Sequence, residues 1–286
     1  MRSASTQDKV LAWLQHNVFP LIGKQRPISM IKPRDVLAVA QKVEAREAYD
    51  SAHRIKQMCG QIFRYAVVLD LVQRDVTVDL RGALAVIPRS HHAALTEPKD
   101  VAVLMRAIHG YEGYPVAKAA LKLAPLVFVR PGELRAAEWA EIDLDGAEWR
   151  IPAARMKMHV EHIVPLARQA VAILRKLYPV TGDGRYVFPS LRTPRECMSE
   201  NTVNAALRGL GYSKEEMTGH GFRAMARTML DEVLGERVDL IEHQLVHAVK
   251  DPNGRAYNRT KHLPARCEMM WRWADDLDRL RDSAHL

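Results

Sequence analysis

Ile142-Asp-Leu-Asp-Gly-Ala-Glu-Trp-Arg-Ile-Pro152, followed after a short basic turn by His162-Ile-Val-Pro165, is the stretch on which the fold class turns. Asp145-Gly146 is a hairpin turn signal, because both residues tolerate the left-handed backbone that a tight turn needs. The segments on either side read as short strands, so 142–165 is expected to form a small antiparallel sheet. Elsewhere the pattern is helical. Upstream, Pro33 suits a first helical turn, and Val36, Leu37, Val39, Ala40 and Val43 recur at helical spacing. Ala52, Ile55, Met58, Cys59, Ile62, Phe63, Ala66 and Val67 form the apolar stripe of a second helix. Arg54, Lys56 and Arg64 turn away from that stripe, towards solvent or towards phosphate. Helical patterning resumes at Lys99 and over Val116–Phe128. Downstream of the sheet it returns over Leu166–Leu177, Ser199–Leu210, Phe222–Val233, Arg237–Ala248 and Leu263–Leu280. The expected class is mainly α, with a helical N-terminal domain and a mixed, mostly helical second domain around one small sheet.

The chain of 286 residues is long enough for two modest cores. Ile87–Pro98, with two prolines and a Ser-His-His break, reads as the join, giving domains at 1–90 and 99–286 with a linker at 91–98. No apolar run is long enough to span a bilayer, and Met1–Gln7 has no signal-peptide core, so a cytoplasmic protein is expected. Cys59, Cys197 and Cys267 have no short Cys-x-x-Cys spacing, against both a disulfide framework and a zinc ribbon. The formal charge is +8, and it is unevenly spread. Residues 1–90 carry 14 basic and 8 acidic side chains, the remainder 28 and 26. An N-terminal third of that sign suits a polyanion.

Several polar residues stand where an apolar core has no use for them. Arg130-Pro-Gly-Glu-Leu-Arg135 follows an apolar run, and Glu133, one helical turn on, is placed to hold Arg130 by a carboxylate pair. Lys157 sits at the tip between the second and third strands. His220 and Arg223 share the opening turn of a helix. His247 ends an apolar helical run, and Tyr257 follows the loop Asp251-Pro-Asn-Gly254.

That ordered series resembles the active-site set of the tyrosine recombinases, the phage integrase family. Arg130-Pro-Gly-Glu-Leu-Arg, Glu138-Trp, Met156-Lys-Met, Tyr186-Val-Phe-Pro-Ser, Met198-Ser-Glu-Asn-Thr, Thr218-Gly-His-Gly-Phe-Arg, Gln244-Leu-Val-His and Ala256-Tyr-Asn-Arg are similar to its prophage-type subgroup. Asn17-Val-Phe-Pro-Leu-Ile-Gly-Lys24 resembles that subgroup's core-binding domain. The resemblance implies site-specific recombination and integration through a covalent 3′-phosphotyrosine. Tyr257 is then the nucleophile, Arg130 and Arg223 fork onto the scissile phosphate, and Lys157 is the acid for the 5′-oxygen. His220 assists proton transfer at Tyr257, His247 bonds the phosphate, and Glu133 orients arginine. It also implies a C-shaped clamp on double-stranded attachment-site DNA, a tetramer on that DNA, and accessory bending proteins as possible partners. No cofactor or metal is expected. The subgroup carries a further arm-binding domain, expected to be missing here because Met1 lies just before the core-binding helices. Val127-Phe128-Val129 also lacks the Thr-Gly many relatives carry before the arginine.

Two other readings also fit parts of the sequence. A DNA-binding relic of a truncated integrase keeps the clamp without recombining, and a metal-dependent nuclease or peptidase uses histidines. His243 and His247 have the spacing of a zinc pair, but Gln244 replaces the glutamate that zincins use as base. There is no phosphate-binding P-loop motif. His159 and His162 read as DNA-facing or solvated. Met269, Met270, Trp271 and Trp273 form a stripe that either packs on its own domain or docks on a neighbouring protomer.

Overall fold

The computed structural model describes residues 4–87, 93–156, 159–246 and 262–283, with side chains from residue 7. It divides into two units, Met1–Ser90 and His91–Leu286, each with its own apolar core.

In the first unit α1 (Ala4–Trp13) runs through a π-helical turn into α2 (Phe19–Ile22), and stops at Gly23, whose φ of +91° a side chain would resist. In α3 (Pro33–Glu44) Pro33 occupies the first turn, and the Asp35 carboxylate accepts the Lys32 N–H at 2.8 Å. Val36, Val39, Ala40 and Val43 of α3 are buried against Ala52, Ile55, Cys59 and Phe63 of α4 (Tyr49–Val68). Ile62, expected on the same stripe, is exposed together with Tyr65 and Val68, because the described part of this unit does not cover that side of the last turns of α4.

The second unit begins with α5 (Pro98–Gly110), α6 (Pro115–Val127) and α7 (Pro131–Arg135). A three-stranded antiparallel sheet follows, in the order β1 (Ile142–Asp143), β2 (Glu148–Ile151), β3 (His162–Pro165). Asp143 closes the turn at Asp145-Gly146 by accepting both N–H groups, at 3.1 and 2.7 Å. Trp149 pairs with Ile142 and Val164, and Ile151 pairs with His162. Helices α8 (Arg168–Thr181), α9 (Thr202–Gly209), α10 (Gly221–Thr228), α11 (Val238–Gln244) and α12 (Leu263–Asp282) complete it. The class is as expected: mainly helical, with one small sheet.

All four residues of β3 are buried, so His162 is a core residue and not a solvated or DNA-facing one. A small sheet covered on one side only would have left alternate residues wet, whereas α12 packs directly on β3. In α12, Met269, Met270 and Trp273 are fully buried in their own unit, and the Trp273 indole N–H donates to the Pro125 carbonyl at 2.9 Å. Trp271 faces outward.

Candidate active site

The two arginines singled out from the sequence come together. Helix α6 ends at Phe128, whose left-handed backbone (φ +34°) turns the chain so that Arg130 becomes the residue preceding α7. There the Glu133 carboxylate accepts twice, from the Arg130 backbone N–H and from its Nη1, both at 2.8 Å. Glu133 is buried, while Arg130 keeps about a quarter of its side chain exposed (24%), so one carboxylate fixes both ends of a residue whose head still reaches solvent. Arg155 adds a bond from Nη2 to the Glu133 carbonyl at 2.9 Å and an ion pair to Glu141.

Arg223 approaches from the first turn of α10. It is buried, donating from Nη1 to the Phe128 carbonyl at 3.0 Å and from Nη2 to the Leu245 carbonyl at 2.6 Å. Arg130 Nη2 donates to the next carbonyl along, Val246, at 3.2 Å. Consecutive peptide oxygens at the end of α11 therefore hold both guanidinium groups. Burial first, and then the neighbouring Arg130 charge, push the Arg223 guanidinium down to about 10. It remains a cation at neutral pH, and two cations forced to share a site favour an anion between or beside them.

His220 immediately precedes α10, and its carbonyl accepts the Arg223 N–H at 3.1 Å. The Thr218–His220 turn is pinned from α9, where Asn204 accepts the Gly219 N–H at 2.8 Å. The Thr218 hydroxyl accepts the Gly221 N–H at 3.0 Å. A Cβ on Gly221 would lie 2.2 Å from the Ala93 carbonyl oxygen, so only glycine allows this approach. His159 lies exposed near the β2–β3 hairpin tip with φ +52°. Lys157, His247 and Tyr257 lie outside the described residues.

The basic residues of α4 are already engaged within their unit. Arg54 pairs with Asp50 at 2.6 Å and Arg64 with Asp75 at 2.8 Å, both arginines being largely exposed. Lys56 donates to the Leu80 carbonyl at 2.5 Å. With Arg81 they line one open groove of about 670 Å³.

Three polar residues are buried behind the arginines: His162, expected to be DNA-facing or solvated, Gln244, noted only in place of a zincin glutamate, and Arg266, which the sequence reading did not single out. Arg266 could have been noticed, since it falls at helical spacing on the stripe continued by Met270, Trp273 and Leu277. Among the described residues no group of three His, Cys, Asp or Glu side chains could hold a metal ion.

Two family models match the chain, the phage integrase central domain over residues 1–83 and the phage integrase family over residues 95–261. The integrase of Enterobacteria phage P4 is 40% identical over 98% of this chain, which spans 66% of that integrase's length. Lambda integrase, solved as a dimer bound to a COC′ core site, superposes with a TM-score of 0.68 at 19% identity, covering 90% of this chain and 93% of that one. As a tetramer bound to a Holliday junction it gives a TM-score of 0.66 at 18% identity, covering 90% and 75%. At such identity the likeness to these structures is one of fold.

Proposed function

The chain belongs to the phage integrase family, and from that premise we propose that it is a site-specific tyrosine recombinase that cleaves and rejoins DNA. The observation that carries the reading is the convergence of Arg130 and Arg223 on neighbouring carbonyls of one turn. Planar forks suit the non-bridging oxygens of a phosphodiester better than an ammonium does. In the proposed step the Tyr257 phenol oxygen bonds to phosphorus as the bond to the 5′-oxygen breaks. The phenol proton passes to His220, and Lys157 gives a proton to the departing 5′-oxygen. A 3′-phosphotyrosine results, so the energy of the diester is conserved and a new 5′-hydroxyl reverses the step. His247 bonds the phosphate, and Glu133 keeps Arg130 aimed. The chemistry calls for neither cofactor nor metal.

Residues 1–90 are assigned to core-type DNA binding through the groove of Arg54, Lys56 and Arg64, with His159 touching DNA from the hairpin. Residues 99–286 are assigned to catalysis. The DNA partner is a double-stranded attachment site, with protomers acting as a tetramer, as lambda integrase does on a Holliday junction. Accessory DNA-bending proteins and a place on the bacterial chromosome belong to the same proposal. No helix among the described residues is long and apolar enough to cross a membrane.

The test is a nicked suicide duplex drawn from an attachment-site library and incubated in EDTA. A covalent adduct should form and be abolished by Tyr257→Phe. An adduct that survives the substitution rejects the nucleophile. DNA binding with no adduct favours the non-catalytic relic.

A further inference from the structure

Behind the two arginines lies a polar cluster that the proposed chemistry does not use. Arg266 of α12 and Gln244 of α11 are each 1% exposed, and His162 of β3 is buried beside them. Arg266 donates to Gln244 Oε1 from Nε at 3.1 Å and from Nη2 at 2.5 Å, and Nη2 also reaches the Ile163 carbonyl at 2.5 Å. The His162 ring lies beside the Gln244 backbone. A guanidinium taken this far from water is costly to bury, and here its bonds go to a neutral amide and a peptide carbonyl. What those bonds fix is a position. Gln244 immediately precedes Leu245 and Val246, whose carbonyls hold Arg223 and Arg130. Arg266 lies 22 residues further along the chain, so its bond to Gln244 ties together the two ends of the stretch that carries His247 and Tyr257.

We infer that Arg266 is a positioning residue, which acts through Gln244 to fix the last turn of α11 and so the two carbonyls that aim Arg223 and Arg130. The inference rests on the recombinase reading. Without Arg266 the Gln244 amide oxygen loses both donors, and the carbonyl pair loses its anchor from α12. A misplacement of about 1 Å in such a site costs on the order of 100-fold in rate.

The experiment uses the full chain and a nicked duplex selected from the library for adduct formation by the parent protein. Arg266→Met should slow adduct formation at saturating DNA by about 10–100-fold, with DNA affinity close to that of the parent. Gln244→Met should reproduce the loss, and the double variant should be no slower than the slower single one, because both remove the same bond. On a duplex with a methylphosphonate at the scissile position, one of the oxygens the arginines grip is gone, so the deficit should shrink. Arg266→Lys, which keeps the charge but not the fork, supplies the same readout if the methionine variant does not fold. Parental rates in Arg266→Met and Gln244→Met overturn this inference alone, as does an equal deficit on both duplexes, the mark of a general weakening of the fold. A parent that forms no adduct with any library member overturns the recombinase reading and this inference with it.

Discussion

His162 has its ring inside the second unit, where Nε2 finds no hydrogen-bond partner among the described residues. Burial, and after it the positive charges of Arg266, Arg130 and Arg223, push the imidazole down to about 3, opposed only by the polar Gln244 backbone nearby, which favours the charged form. The ring is neutral in the folded protein, whereas the unfolded chain takes up the proton near pH 6.5. Stability that depends on a neutral His162 is therefore complete above about pH 6.5 and is lost progressively as the pH falls towards 3. Between pH 7 and pH 5 this amounts to about 2 kcal/mol. Urea denaturation of the parent and of His162→Gln should show it as a gap in stability that changes by that amount across the interval. Equal pH dependence in the two proteins would mean that the ring is not held neutral.

At the scale of elements, the turn that delivers His220 and Arg223 is shaped by contacts that leave no room for a side chain. Gly221 opens α10 with its Cα pressed against the Ala93 backbone. Gly221→Ala must displace one of the two, at a cost of about 1–3 kcal/mol typical of overpacking, and it should also reduce the rate of adduct formation by moving Arg223. Thermal unfolding and adduct kinetics on one preparation check both, and an unaffected rate would show that the turn can yield without disturbing the arginine. Much of this architecture was readable beforehand. Pro33 acts locally through its fixed φ, and the turn falls at Asp145-Gly146 as expected, although the left-handed residue there is Ala147 (φ +51°) and the turn is closed by Asp143. The Arg130–Glu133 pair spans one helical turn and was equally open to local reasoning. Arg266 and Gln244 were not, because a charge on an apolar stripe acquires meaning only from a partner 22 residues away. His162 was read as DNA-facing or solvated for the same reason, since nothing in His-Ile-Val-Pro announces that a distant helix covers its strand.

For the molecule as a whole, two separate cores and a lopsided charge set the terms. The proposed DNA partner should be held mainly through phosphates, so affinity should fall steeply with salt. Each phosphate neutralised adds about −0.9 to the slope of log K against log salt concentration. Fluorescence anisotropy of a labelled duplex across a salt series measures it, and a flat plot counts against phosphate contacts altogether. The ion pairs of α4 modify that expectation. Because Arg54 and Arg64 already rest on Asp50 and Asp75, an arriving phosphate must displace a resident carboxylate or share its arginine. Small cations released from the duplex are then partly recaptured by the liberated aspartates, and the measured slope should be shallower than a tally of arginines in the groove implies. Asp50→Asn and Asp75→Asn would steepen it, turning a self-quenched surface into a stickier and less discriminating one.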